Sequence, residues 1–228
     1  MKEQNTCLAV LLKYPEPGRV KTRLGRVIGM SQAAKLYRGF VLRLMESCKS
    51  VGYEVVLSCH PDRPVHDYKK WLGSGFRFVV QDGDELGLNM MGCFERVFGM
   101  GFKRVVLVGS DLPHLSMGYM KTAIQRLESN DVVVGPARDG GYYLLGMSQD
   151  AFSPVFFQDI AWSGPDVFSR TMEIVEDNNL KSFILPCLRD VDTVDDLKFI
   201  LIREGIELDR PGGLNRAVEE LIGRYGLF

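Results

Sequence analysis

The chain has 228 residues, 46% hydrophobic and 25% charged, which suits one α/β domain large enough to build a core without disulfides or metal. Its formal net charge of −1 gives no overall field toward nucleic acid or a membrane surface, so any anion must be bound by a local cluster. The five cysteines are scattered with no C-x-x-C spacing, against a disulfide framework or zinc site, and no apolar run approaches the roughly 18 residues of a membrane span.

Residues 6–12, TCLAVLL, read as a buried first strand. This run is too short for a secretory core and follows Glu3, so the expectation is a cytoplasmic protein without membrane insertion. KYPEPGRVKTR, residues 13–23, comes next, and its two prolines and glycine predict a rigid extended loop rather than a helix. It carries Lys13, Arg19, Lys21 and Arg23 against one acid, Glu16. Gathering four cations is unfavourable unless an anion neutralises them. Gly18 permits close backbone approach, and arginine presents a fork to phosphate oxygens. A basic loop facing water is the alternative reading. Neither a Walker loop nor Gly-x-Gly-x-x-Gly follows the strand, which argues against a P-loop or a dinucleotide dehydrogenase.

Ser31 is placed to cap a helix to about residue 50, with Ala34, Tyr37, Val41, Leu44, Met45 and Cys48 along one stripe. Strands are expected over 53–58 and 76–80, with a helix over 65–72 between them. A turn-rich segment, 81–87, leads to a helix ending near residue 98. Then comes KRVVLVGSDLPHL, residues 103–115, whose unbroken apolar run is the pattern of a central parallel strand buried on both faces. Gly109 and Ser110 end it, and Asp111 falls at its carboxyl edge, where open α/β sheets bind ligands. A carboxylate there can hold a divalent cation against phosphates, or simply cap the next helix.

That helix is expected from Ser116 to residue 127. Residues 131–134 and 142–145 are two strand-like runs with no helix between them, only GPARDGG, so an antiparallel pair and a mixed sheet are expected. Asp139-Gly140-Gly141 reads either as a tight turn or as a site where substrate approaches the backbone, with Asp139 as base or hydroxyl ligand. Ser163 with Asp166 forms a capping-box pattern, with Pro165 in the first turn of a helix. A last strand covers 181–185, and Thr193 with Asp196 is a second capping box, opening a helix to about residue 203. Asp190 and Asp192 precede it. They serve either as helix-start acids or, in one case, to complete a metal site with Asp111. His60, His66 and His114 lack ligand spacing, and Asp82 and Asp84 read as structural turn acids.

KYPEPGRVKTRL (13–24), VGSDLPHL (108–115), GPARDGGYYLLG (135–146), the Trp162-Ser163 pair and DVDTVDDL (190–197) together resemble the bacterial DUF2064 family of glycosyltransferase-A-type proteins. That family sits in the nucleotide-diphospho-sugar transferase superfamily, near the phospholactate guanylyltransferases and molybdenum-cofactor nucleotidyltransferases. The resemblance spans about residues 6–203 and implies a Rossmann-like GT-A fold, three-layer α/β/α with a mixed, mostly parallel sheet. A transferase domain over 1–203 and a helical tail over 204–228, a candidate dimer element, follow. By this resemblance Asp111 is the metal-binding acid after the central strand, with Asp192 as second ligand for Mg²⁺ or Mn²⁺. Lys13, Gly18, Arg19, Lys21 and Arg23 would hold the donor phosphates. Asp139 is the candidate base, and Gly140, Gly141 and Trp162 border a small-molecule acceptor. Two departures fall on the acceptor side: Gly87-Leu-Asn89-Met90 where relatives often read Gly-Glu-Arg-Met, and Trp162-Ser163-Gly164 where they often have Trp-Ser-Thr. The implied activity is metal-dependent glycosyl transfer from a nucleotide-diphospho-sugar. The alternatives are nucleotidyl transfer from a nucleoside triphosphate to a phosphorylated acceptor, and a nucleotide-binding regulator that has lost catalysis.

Overall fold

The computed structural model describes residues 5–113, 115–162 and 164–203. Seven strands form one sheet: β1 (Thr6–Leu12), β2 (Glu54–Cys59), β3 (Arg77–Val80), β4 (Arg104–Val108), β5 (Val132–Pro136), β6 (Tyr142–Ser148) and β7 (Ser182–Ile184). Their order is β3-β2-β1-β4-β6-β5-β7. β1 pairs in parallel with β2 and β4, β2 with β3, and β5 with β7, while β6 runs antiparallel to both β4 and β5. The sheet is therefore mixed and mostly parallel, as expected.

Among the described residues, seven α-helices accompany these strands: α1 (Thr22–Ile28), α2 (Met30–Val51), α3 (Val65–Leu72), α4 (Leu86–Gly99), α5 (Met117–Arg126), α6 (Val167–Asp177) and α7 (Val194–Arg203). The central strands are apolar on both sides because both faces are covered. Leu8, Val10, Val106 and Val108 meet Tyr37, Val41 and Leu44 of α2 and Met120 and Ile124 of α5. Cys7, Ala9, Val105 and Leu107 meet Met90, Phe94 and Val97 of α4 and Ile174 and Val175 of α6. A third cluster joins Leu24 and Ile28 to Leu36, Phe40, Leu197 and Ile200, fixing α1 and α7 against α2.

Three helix starts differ from expectation. The basic loop ends sooner than the prolines suggested, because Thr22 and Arg23 already belong to α1. Helix α2 starts on Gly29, whose φ of 92° turns the chain sharply out of α1 and whose carbonyl accepts from Gln32 and Ala33. Ser31 is thus an exposed first-turn residue, not the cap. Helix α6 starts after Asp166, whose side chain makes no capping bond, so Pro165 precedes the helix; Ser163 lies outside the described residues. The second capping box is present: Thr193 N donates to Asp196 Oδ2 at 2.8 Å and Asp196 N to Thr193 Oγ1 at 3.2 Å. The tail over 204–228 and His114 lie outside the described residues. Among the described residues, no helix is long and apolar enough to cross a membrane.

The β5–β6 hairpin lays β6 between β4 and β5. Its turn therefore opens on the same sheet edge as the carboxyl ends of the parallel strands, and that edge carries the site.

Candidate active site

A cleft of about 700 Å³ opens at this edge, walled by the loop after β1, the end of β4, the β5–β6 turn and the segment before α7. Its floor is an ionic triad. Lys21 Nζ lies 3.0 Å from Asp111 Oδ1 and 2.8 Å from Asp192 Oδ1. The lysine side chain is 3% exposed, the aspartates 48% and 44%, so the cation lies beneath and the acids face the cleft. Burial pulls the Lys21 ammonium down, but Asp111 and Asp192 outweigh it and the net shift is upward. Lys21 takes a left-handed conformation, φ 47°, as the N-cap of α1, which turns the chain from the extended loop into the helix.

Tyr37 sets the loop against the β4 edge. Its buried hydroxyl accepts from Lys13 N at 3.0 Å and lies 2.8 Å from Ser110 Oγ. Glu16, the loop's single acid, is bound by Arg63 Nε at 2.7 Å, so it does not neutralise the loop's own cations. Arg19 Nη1 meets Asp62 Oδ2 at 3.3 Å, and Arg19, Arg23 and Lys13 all border the cleft. Gly18, φ +80°, sits in the turn closed by Arg19 N donating to Glu16 O and does not line the cleft.

Asp190 adds a fourth acid beside Asp111, Asp192 and Asp139. Its Oδ1 is buried with no hydrogen-bond partner. Burial first, then the charges of Asp139, Asp111 and Asp192, push its carboxyl up to about 7 against the opposing pull of Lys21. Asp139 Oδ1 accepts from Gly141 N at 3.0 Å, which orients its carboxylate within the turn. Gly141 lines the cleft and Gly140 does not. A Cβ on Gly140 would lie 1.8 Å from the Pro165 carbonyl oxygen, and the Gly140 carbonyl accepts from Phe168 N at 2.8 Å. Gly140 thus makes room for its own chain, seating the turn against the start of α6.

Trp162 borders the cleft, stacked on Phe157 and edge-on to Tyr142. Its indole occupies the space above Gly87, where a Cβ would come within 2.2 Å of Nε1. The two sequence departures, around Gly87 and around Trp162, are therefore in contact. Asn89 accepts from Asp82 N and Gly83 N and donates to Gly83 O, pinning the turn before α4. His60 is buried between Asp62, 3.3 Å from Nδ1, and Asp84, 3.1 Å from Nε2.

The donor set suits a hard divalent cation. Asp111 and Asp192 direct one carboxylate oxygen each at a single point, marked by the Lys21 ammonium. Among the described residues no group of three His, Cys, Asp or Glu side chains converges on one point. An ion here would take two carboxylates, with water and phosphate oxygens filling its shell, which is the habit of Mg²⁺. The apolar stripe hid that the Tyr37 hydroxyl needed partners, and Asn89 stood out in the sequence only as a departure from relatives, not as the residue that holds the 82–83 turn. The sequence left Asp190 open, with only its spacing from Asp192 as a signal.

A family model described as "Uncharacterized protein conserved in bacteria (DUF2064)" matches residues 44–164. A crystal structure of a candidate nucleotide-diphospho-sugar transferase from Desulfovibrio desulfuricans G20 is 37% identical, covers 96% of this chain and 95% of its own, and superposes with a TM-score of 0.88. Rv0371c from Mycobacterium tuberculosis H37Rv, in complex with manganese, is 16% identical over 88% of this chain and 99% of its own, TM-score 0.53. CMP:2-keto-3-deoxy-manno-octonic acid synthetase complexed with CTP is 11% identical over 89% and 100%, TM-score 0.54. The last two share the fold: a mixed Rossmann-like sheet of the nucleotidyltransferase and GT-A type.

Proposed function

The chain belongs to the DUF2064 family, and from that membership and the cleft's geometry we propose that it transfers sugar from a nucleotide-diphospho-sugar to a hydroxyl acceptor, with Mg²⁺ or Mn²⁺ held at Asp111 and Asp192. The observation that carries this reading is that Lys13, Arg19 and Arg23 border the same cleft as the Asp111–Asp192 acid pair, which Lys21 bridges from beneath. That arrangement takes a diphosphate between cations and a cation-binding acid pair. A 37% identical relative bearing a transferase name supports it, as does a manganese complex of the same fold.

The cleft's lysines and arginines all come from the β1–α1 loop and the first turn of α1. The rest of the lining presents the acids Asp139 and Asp190 and the aromatic rings of Trp162 and Tyr142, a poor seat for a phosphorylated acceptor and a good one for a neutral, hydroxyl-bearing molecule. This favours glycosyl transfer. Asp139, held by Gly141 N, takes the proton from the acceptor hydroxyl as its oxygen attacks the sugar's anomeric carbon. The bond from that carbon to the phosphate oxygen breaks, and the electron pair leaves with the diphosphate. Arg19 and Arg23, which border the cleft, meet that developing charge. A bound divalent cation adds Lewis-acid neutralisation of the same phosphates. Nucleotidyl transfer is the second reading, supported by the CTP complex that shares this fold.

Product analysis tests the assignment. UDP-, GDP- and CDP-sugars with Mn²⁺ are expected to release free nucleoside diphosphate. Pyrophosphate release from a nucleoside triphosphate and a sugar phosphate would instead establish the second reading. Asp139→Asn is expected to lower turnover roughly 10²–10⁴-fold while nucleotide binding persists. An unchanged rate would remove the base role.

A further inference from the structure

Lys21 is oddly placed for a residue whose sole task is to hold phosphate. Its ammonium is turned away from solvent, under the two half-exposed carboxylates of the cleft floor, and touches one oxygen of each at 3.0 and 2.8 Å. Those are the oxygens a bridging divalent ion would use. Such an ion needs carboxylate oxygens at about 2.1 Å in an octahedral shell, so it and the ammonium cannot occupy the space together.

We propose that Lys21 is the resident counter-ion of the Asp111–Asp192 pair, keeping divalent cations out of the nucleotide-free protein, and that the donor diphosphate opens the pair by drawing the ammonium onto itself. This rests on the reading that the two acids hold the metal. The exchange asks only for rotation of a side chain. The backbone of Lys21 is fixed as the N-cap of α1, its carbonyl accepting from Gly25 N at 2.8 Å. A lysine suits the task because its charge is compact and its four-carbon stem flexible, where an arginine fork would lock onto a carboxylate. Arg19 is engaged with Asp62, and Arg23 is an exposed residue in the first turn of α1. Metal and donor then bind with positive coupling, and by linkage each raises the other's affinity by the same factor.

The test uses Mn²⁺ alone, with the unbound ion counted by electron paramagnetic resonance. Lys21→Met is expected to bind Mn²⁺ at least about tenfold more tightly than wild type, within the usual span of coupling between sites. Lys21→Met/Asp192→Asn is expected to lose that gain. Mn²⁺ should also raise the melting temperature of Lys21→Met, whose two carboxylates face each other unneutralised, and leave that of wild type unmoved. Lys21→Gln, polar and nearer in shape, serves the same comparison if the methionine variant does not fold. Equal Mn²⁺ affinity in wild type and either variant overturns the counter-ion role, and so does a gain that survives Asp192→Asn. If wild type takes up Mn²⁺ with nucleoside diphosphate while Lys21→Met gains nothing with Mn²⁺ alone, only the role of Lys21 fails. If no protein takes up Mn²⁺ even with nucleoside diphosphate, the metal reading itself fails.

Discussion

Tyr37 and Asp190 show how much of the site depends on single polar atoms. The Tyr37 hydroxyl couples the basic loop, through Lys13 N, to the β4 edge, through Ser110. Tyr37→Phe leaves a backbone N–H and a serine hydroxyl without that partner. Urea denaturation is expected to show a loss of about 1–3 kcal/mol. Asp190 acts in the other direction. Its carboxyl rises from 3.8 to about 7 on folding, so the folded state binds the proton more tightly than the unfolded chain. The stability this gives is complete below pH 3.8 and is lost as pH rises through about 7. Asp190→Asn cannot titrate. With a chelator present, its stability relative to wild type is expected to increase between about pH 5 and about pH 8. A constant difference would show that Asp190 is an ordinary ionised acid. Neither effect was legible in the sequence, because each depends on which atoms the fold brings beside a hydroxyl or a carboxylate.

Among the elements, periodic segments were easier to read than their starts. The limits of β1 and α3 followed from apolar pattern and flanking turn residues, and the Thr193–Asp196 box set the start of α7. The start of α2 was misplaced because Ser31 is a good cap by type, whereas Gly29 supplies the left-handed turn that a close helix–helix connection requires. The short α1 was hidden behind Pro15 and Pro17, whose influence ends before Thr22. The double glycine at 140–141 read as a turn or a substrate approach, and the two residues turn out to differ: Gly141 lines the cleft, while Gly140 is crowded by Pro165. Gly140→Ala forces a Cβ into that carbonyl at a φ of +93°. It is expected to destabilise the protein by about 2–4 kcal/mol and to unseat the Asp139 turn from α6. A melting temperature equal to wild type would show that the turn and helix are not tightly joined.

At the scale of the whole molecule, strand order puts the site where it is. The chain winds outward from β1 through β2 to β3, then returns to place β4 on the other side of β1. The loops after β1 and β4 therefore part at a topological switch point, the usual seat of ligands in open α/β sheets. Alternating elements and the buried central run made the α/β class legible, and the missing helix between β5 and β6 revealed the antiparallel insertion. The meeting of Asp111 with Asp192 was expected from the family resemblance, but the direct pairing of Lys21 with both was not legible, since the residues lie on three segments whose contact depends on that strand order.

The central claim is that loop cations and an acid pair hold a diphosphate with a divalent cation between them. Calorimetric titration of UDP, GDP, CDP and ADP into wild type and Asp111→Asn, with and without Mn²⁺, tests it most directly. At least one nucleotide is expected to bind wild type far more tightly with Mn²⁺ present, and Asp111→Asn should abolish that dependence. Absence of binding by all four in the presence of Mn²⁺, or identical Mn²⁺ dependence in the variant, would contradict it.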